Sequence, residues 1–209
     1  MSKKQAVANK DDSGFKPDKP MLDSLRKGDR KSLSAFYDRY APMLLSVATR
    51  YVGNVQDAED ILQESLIRIF KALDTFKPGH EGSFEAWAKR IVVNLSLNFL
   101  RKHNRMKFVN GSEIDMAMNQ QNDPWEVSDP ETMPDPETVI AFITALPEGY
   151  RTVLNLYVFE NYSHKQIGSE LGISENTSKS QLSKARNLLR KKINNQLTPQ
   201  HHVEYEQPR

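Results

Sequence analysis

The chain has 209 residues, a formal net charge of +2 and no cysteine. That length suits one ordinary domain or two small ones, and the missing cysteines exclude disulfides, thiolate metal sites and cysteine nucleophiles. No run approaches the ~18 apolar residues of a membrane helix, and the start, MSKKQAVANKDDSGF, has no apolar core behind its basic residues, so neither membrane insertion nor a secretory signal is expected. The expectation is a cytoplasmic protein.

Residues 1–20 are polar and are expected to form a disordered arm. Helical period begins after them. Phe36, Tyr40, Leu44, Val47 and Tyr51 recur at three or four residues, with Pro42 inside the pattern as a possible break and Gly53-Asn54 as a stop. The next helix, over 55–73, has the apolar face Ile61, Leu62, Leu66, Ile69, Phe70 and Leu73. Pro78, Gly79 and Gly82 make 75–82 a loop. Ser83 is placed to cap a helix through about residue 101, with the stripe Phe84, Trp87, Ala88, Ile91, Leu95 and Phe99. No strand alternation occurs. The fold class is all-α, with a first small domain over 21–107.

Residues 110–140 hold no Lys or Arg, while Glu113, Asp115, Asp123, Glu126, Asp129, Glu131, Asp135 and Glu137 are acidic. Residues 108–134 therefore form an acidic linker that Met116, Met118 or Trp125 can anchor. A second small domain spans 135–196, and 197–209 is a loose tail.

This second domain carries the most specific local pattern. A helix over 164–171 meets a turn at Gly172, and Ser174 is placed to cap a second helix. Ile167, Leu171, Ile173 and Leu182 supply apolar contact, and Gly168 and Gly172 permit close approach. Residues 163–192 carry Lys165, Lys179, Lys184, Arg186, Arg190, Lys191 and Lys192 against only Glu170 and Glu175. Such a helix–turn–helix places its second helix in a DNA major groove. Asn176, Thr177, Lys179, Ser180, Gln181 and Lys184 are expected to be exposed there, suited to base edges and phosphates. Ser178 departs from the pattern, because an apolar residue usually packs at that position. The plain alternative is a helical hairpin with a solvated basic face.

Four blocks now resemble one family. AFYDRYAPMLLSVATRYVG, DAEDILQESLIRIFKAL, FEAWAKRIVVNLSLNFLRKHNR and the segment 146–189 resemble, in order, parts of an RNA polymerase sigma factor of the extracytoplasmic-function class, the smallest sigma-70 architecture. The resemblance covers about 33–192. It implies a region 2-like domain and a region 4-like domain that bind core RNA polymerase and direct promoter-specific initiation. It implies polymerase contact, through the β′ clamp helices, at Asp57, Asp60, Gln63 and Glu64, with the β subunit as a further partner. Without the resemblance, that face reads as a solvated acidic one with a Glu64–Arg68 pair worth a few tenths of a kcal/mol.

The resemblance further implies minus-ten recognition and melting by Lys77, His80, Arg90, Asn94, Asn98, Arg101 and Lys102. A base flipped out of the stack would enter the 77–82 loop. It implies minus-thirty-five recognition by Ser174, Asn176, Thr177, Lys179, Ser180, Gln181 and Lys184, with Arg151 reaching a phosphate. Phe84 and Trp87 are read as core and not as DNA-stacking groups. Promoter DNA and an anti-sigma factor are the further partners implied. No catalytic residue, cofactor or metal is expected, because His80, His103, His164, His201 and His202 are scattered. The competing class is a conventional helix–turn–helix regulator with a sensing or dimerising N-terminal domain. An enzyme or phosphorelay protein with a DNA-binding appendage is disfavoured by the absence of a Gly-rich phosphate loop.

Overall fold

A computed structural model describes residues 19–77, 83–103 and 134–197. Residues 1–18 of the arm, His80, linker residues 108–133 with Met116, Met118 and Trp125, and tail residues 198–209 with His201 and His202 lie outside these residues, while Lys19 and Pro20, expected at the end of the arm, open the first helix. Every regular element among the described residues is helical. The order is α1 (Lys19–Arg26), α2 (Arg30–Val52), α3 (Val55–Ala72), a 3-10 turn (Leu73–Thr75), α4 (Ser83–Lys102), α5 (Pro136–Thr144), α6 (Glu148–Leu154), a wider π turn (Asn155–Phe159), α7 (His164–Leu171) and α8 (Glu175–Leu197).

Local chemistry sets these boundaries. The Asp29 carboxylate accepts from Ser32 N at 2.8 Å, and Asn54 Oδ1 accepts from Asp57 N at 2.8 Å. Asp135 does the same for Thr138 N at 2.9 Å. Each bond satisfies a free N–H of a first helical turn. Pro42 does not divide α2, which runs unbroken through it. Its apolar stripe is buried on both sides of the proline, at Phe36, Tyr40, Leu44 and Val47, and that packing outweighs one lost backbone bond.

Helices α2, α3 and α4 pack together around an aromatic cluster. The Phe36 ring centroid lies 4.8 Å from Tyr40 and 5.9 Å, edge-on, from Phe84. Phe76 meets Phe84 at 5.1 Å and Trp87 at 5.0 Å. Phe84 and Trp87 therefore belong to the core. The buried face of α4 is broader than the expected stripe. Val92, Val93, Leu97 and Leu100 are buried with Ala88 and Leu95, while Ile91 and Phe99 are only half-buried. The helix is wedged between α2 and α3, so two of its faces meet protein.

The buried cluster continues into α5 to α8 through Ile143, Leu146, Val153, Leu156, Ile167, Leu182, Ala185 and Leu189. The two halves pack against each other along α2, and polar contacts join them at its C-terminal end. Arg151 of α6 is 4% exposed. Its Nε donates to Tyr51 O at 3.0 Å and its Nη2 to Val52 O at 3.2 Å. Its Nη1 donates to Thr144 O at 2.5 Å and Leu146 O at 3.1 Å. Asn155 Nδ2 donates to Arg50 O at 2.8 Å.

Gly53 ends α2 at φ +84° and sits directly under this guanidinium. A Cβ there would stand 2.6 Å from Arg151 Nη1. Gly172 also has positive φ (+68°), but a Cβ there meets nothing within 4 Å. Gly172→Ala should therefore cost only the left-handed backbone term, about 1–2 kcal/mol. Gly53→Ala adds displacement of a guanidinium pinned by four carbonyls, a further ~1–3 kcal/mol. Urea unfolding of the full chain should rank the two in that order; equal losses would show that Arg151 gives way freely.

Candidate nucleic-acid interface

The helix–turn–helix is built by α7 and α8. Ser163 and Gln166 close a capping box at the start of α7: Ser163 N donates to Gln166 Oε1 at 2.8 Å, and Gln166 N donates to Ser163 Oγ at 3.3 Å. Gly172 supplies the left-handed turn. Gly168 lets the outgoing chain approach, since a Cβ on it would lie 2.7 Å from Ile173 O. Ser174 Oγ accepts from Thr177 N at 2.9 Å, which starts α8. Ile167 and Leu182 are buried, and Leu171 and Ile173 half-buried, between the helices.

The outward face of α8 exposes Asn176 and Lys179, and Thr177, Ser180 and Lys184 in part, with Ser174 exposed at its head. Lys179 pairs with Glu175 at 2.8 Å. Gln181 differs from expectation. It is fully buried, because positions 178, 181, 182, 185 and 189 form the inward stripe at helical spacing. That period was present in the sequence, but the amide side chain obscured it.

Arg151 also differs from expectation. It is buried against the end of α2, where all three guanidinium nitrogens donate to main-chain carbonyls and not to a phosphate. Ser178 is buried in the turn, where Oγ lies 2.9 Å from His164 Nδ1. The His164 ring stacks on Tyr157 at 4.7 Å between centroids. Neither contact was expected, and the misplaced serine was the one sequence signal that pointed to it.

On α4, Arg90, Asn94, Asn98, Arg101 and Lys102 are all exposed along one side, away from the aromatic core. Lys77, the last described residue before 83, is exposed. Two members of this row face the second half of the chain. Arg101 donates to Glu170 O at 2.9 Å and ion-pairs with the Glu170 carboxylate. Arg90 lines a groove of about 360 Å³ with Glu85, Lys89, Phe159, Glu160 and Tyr162.

On α3, Asp60, Gln63 and Glu64 are exposed, and Glu64 pairs with Arg68. Asp57 is half-buried and accepts from Asn54 Nδ2 at 2.7 Å, so part of its charge serves the helix start. Ile67, which sequence reading passed over, is 55% exposed. It stands seven residues after Asp60 and four after Gln63, on the same face.

Among the described residues no three His, Cys, Asp or Glu side chains gather to hold a metal, and no helix is long and apolar enough to cross a membrane. Residues 36–106 match the profile of Sigma-70 region 2, and residues 137–189 that of Sigma-70, region 4. The chain is 30% identical over 182 residues to the ECF RNA polymerase sigma factor SigW of Bacillus subtilis, covering 84% of this chain and 96% of that one. It is 28% identical over 176 residues to the ECF RNA polymerase sigma factor SigE of Mycolicibacterium smegmatis, covering 78% of this chain and 63% of that one. A solved structure of the sigma factor RpoE in complex with the anti-sigma factor NepR from Bartonella quintana aligns at a TM-score of 0.44 and 22% identity, over 77% of this chain and 96% of that one.

The turn carries its own pH signature. Burial holds the His164 imidazole below its usual range; Lys179 and Arg186 push the same way, and Glu175 opposes them. A folded pKa below the unfolded value of about 6.5 means the folded state takes the proton less readily. Stability from this residue is then complete above that value and is lost as pH falls through the folded pKa. The unfolding free energy of the chain should decline between pH 7.5 and 5.5, and His164→Gln should flatten that decline.

Proposed function

The chain belongs to the extracytoplasmic-function RNA polymerase sigma factors, and from that premise we propose how its surfaces divide the work of initiation. The chain joins core polymerase, brings it to a promoter and stabilises the melted start region, while the polymerase performs the covalent chemistry. The observation that carries this reading is the order of parts on one chain. A region 2 match and a region 4 match follow one another, each ending in a helix with an exposed polar and basic face.

The exposed row Asp60, Gln63 and Glu64 on α3 is the surface for the β′ clamp helices, with Ile67 as its apolar member; Asp57 supports the helix start beside them. The side of α4 that bears Arg90, Asn94, Asn98, Arg101 and Lys102 takes the minus-ten element. Amide and guanidinium groups there can hold phosphates and base edges together. Lys77 and His80 belong to the loop, 77–82, assigned to the flipped base. The face of α8 with Ser174, Asn176, Thr177, Lys179, Ser180 and Lys184 reads the minus-thirty-five element. Gln181 and Arg151 support that half from inside. Family membership further implies the β subunit and an anti-sigma factor as protein partners and the cytoplasm as the site of action.

A regulator that binds DNA alone would need no exposed acidic row on α3. Transcription in vitro separates the two readings. Core polymerase with this chain should initiate at a defined subset of a library of upstream fragments, and core alone should not. Reversing charge with Asp60→Lys and Glu64→Lys should abolish co-purification with core polymerase while leaving the helical circular dichroism unchanged. Undiminished co-purification would remove α3 from the interface.

A further inference from the structure

The helix–turn–helix holds a directional bond where apolar packing would suffice. Ser178 is fully buried on the inward stripe of α8, beside Leu182 and one turn before it. Its neighbours on that stripe, Leu182, Ala185 and Leu189, pack through contacts that have no preferred direction. A serine is too small to lock a helix in that way. Its hydroxyl instead meets His164 Nδ1 at 2.9 Å, and a hydrogen bond weakens steeply when its angle changes.

His164 is itself held from two sides. It is the first residue of α7, directly after the capping-box serine. Its ring stacks on Tyr157 at an interplanar angle of 23°. The bond therefore ties α8 to a fixed point on α7 and, through the ring, to the π turn after α6.

The tie falls at the part of α8 that matters for reading. Thr177 and Lys179 flank Ser178, and Ser174, Asn176 and Ser180 lie within one turn of it. Side chains reach roughly 5–6 Å from a helix axis. A roll of ~15° about that axis then carries their tips about 1.5 Å, half the length of the hydrogen bonds by which bases are told apart.

We propose that His164 and Ser178 are a positioning pair for minus-thirty-five reading, fixing the roll of α8 so that Asn176, Thr177, Lys179 and Ser180 meet base edges in register. The proposal rests on the assignment of α8 to that element.

The test uses holoenzyme assembled from core polymerase and the full chain. Its template pool keeps the start-proximal element of a promoter chosen by the library experiment and randomises the upstream element. The readout is the base preference at each randomised position among transcribed templates, with the melting temperature of each chain recorded beside it. Ser178→Ala, and His164→Phe, which keeps a ring on Tyr157, should each lower discrimination at the best-read positions by about threefold to tenfold, the worth of one hydrogen bond. The double variant should lose no more than either single one. His164→Asn, whose amide keeps a polar atom near the place of Nδ1, should retain the preference.

Unchanged profiles, losses that multiply in the double variant, or failure of His164→Asn to retain the preference would each overturn the pair's role. Lys179→Ala separates this from the underlying assignment. If it too leaves the profile unchanged, α8 does not read the element; if it alone flattens the profile, only the positioning role fails.

Discussion

The last four carbonyls of a helix have no partner within it, and the fold turns on how α2 resolves this. Thr49 O accepts from Gly53 N at 2.8 Å. Arg50 O accepts from Asn155, and Tyr51 O and Val52 O accept from Arg151. The first half of the chain thus terminates its longest helix with donors from the second. A guanidinium at this end also meets the negative pole of the helix dipole. Around it, Arg50 lies under the Phe159 ring at 3.8 Å and pairs with Glu160 at 3.9 Å. Burial raises the Glu160 carboxyl above its ordinary range although Arg50 opposes the shift. The same burial lowers Arg50, with Glu160 opposing in turn. Desolvation thus outweighs attraction for both partners, and this pair is a consequence of the contact more than its cause.

Magnitudes distinguish the arginines that face both halves. The Arg101–Glu170 pair is more than a third exposed on both sides, and such pairs contribute less than about 1 kcal/mol. Arg101 can exchange Glu170 for a phosphate at little cost. Arg151 is different, because withdrawing it strands buried carbonyls at about 1–3 kcal/mol each. Separating the two halves as units is milder. Water then reaches both surfaces, and each bond is exchanged for one to solvent at about 0.5–1.5 kcal/mol. Arg101 is therefore compatible with a DNA role in either arrangement, and Arg151 belongs to the frame.

The parts legible in the sequence were those written as periodicity and punctuation. The stripe of α3, the stop at Gly53-Asn54, the core placement of Phe84 and Trp87, and the turn from Gly168 through Ser174 all follow from spacing and residue type. The order of four blocks was enough to suggest the family. What escaped was long-range and polar. Nothing local announces that an arginine on α6 will cap a helix 100 residues earlier, because an arginine in a helical pattern reads first as surface. Gln181 was misplaced for the same reason, since its amide is polar although its position is inward. The breadth of α4's buried face depends on how many neighbours surround it, which a single-stripe pattern does not encode.

Charge and orientation play separate parts at α8. Its basic side chains attract any duplex, since neutralising phosphates releases counterions whatever the sequence. That attraction falls off gradually and tolerates small rotations of the helix. Distinguishing one base pair from another does not, because the donors and acceptors of a base edge must be met at hydrogen-bond distance. A domain held only by apolar contact and carrying the same lysines would bind DNA about as well and read it less sharply. On the proposed reading, specificity depends on the polar contacts that join the starts of α7 and α8: Ser178 against His164, and the capping box that fixes where His164 stands. On that reading, the serine that departs from the apolar pattern is what gives α8 a defined rotation.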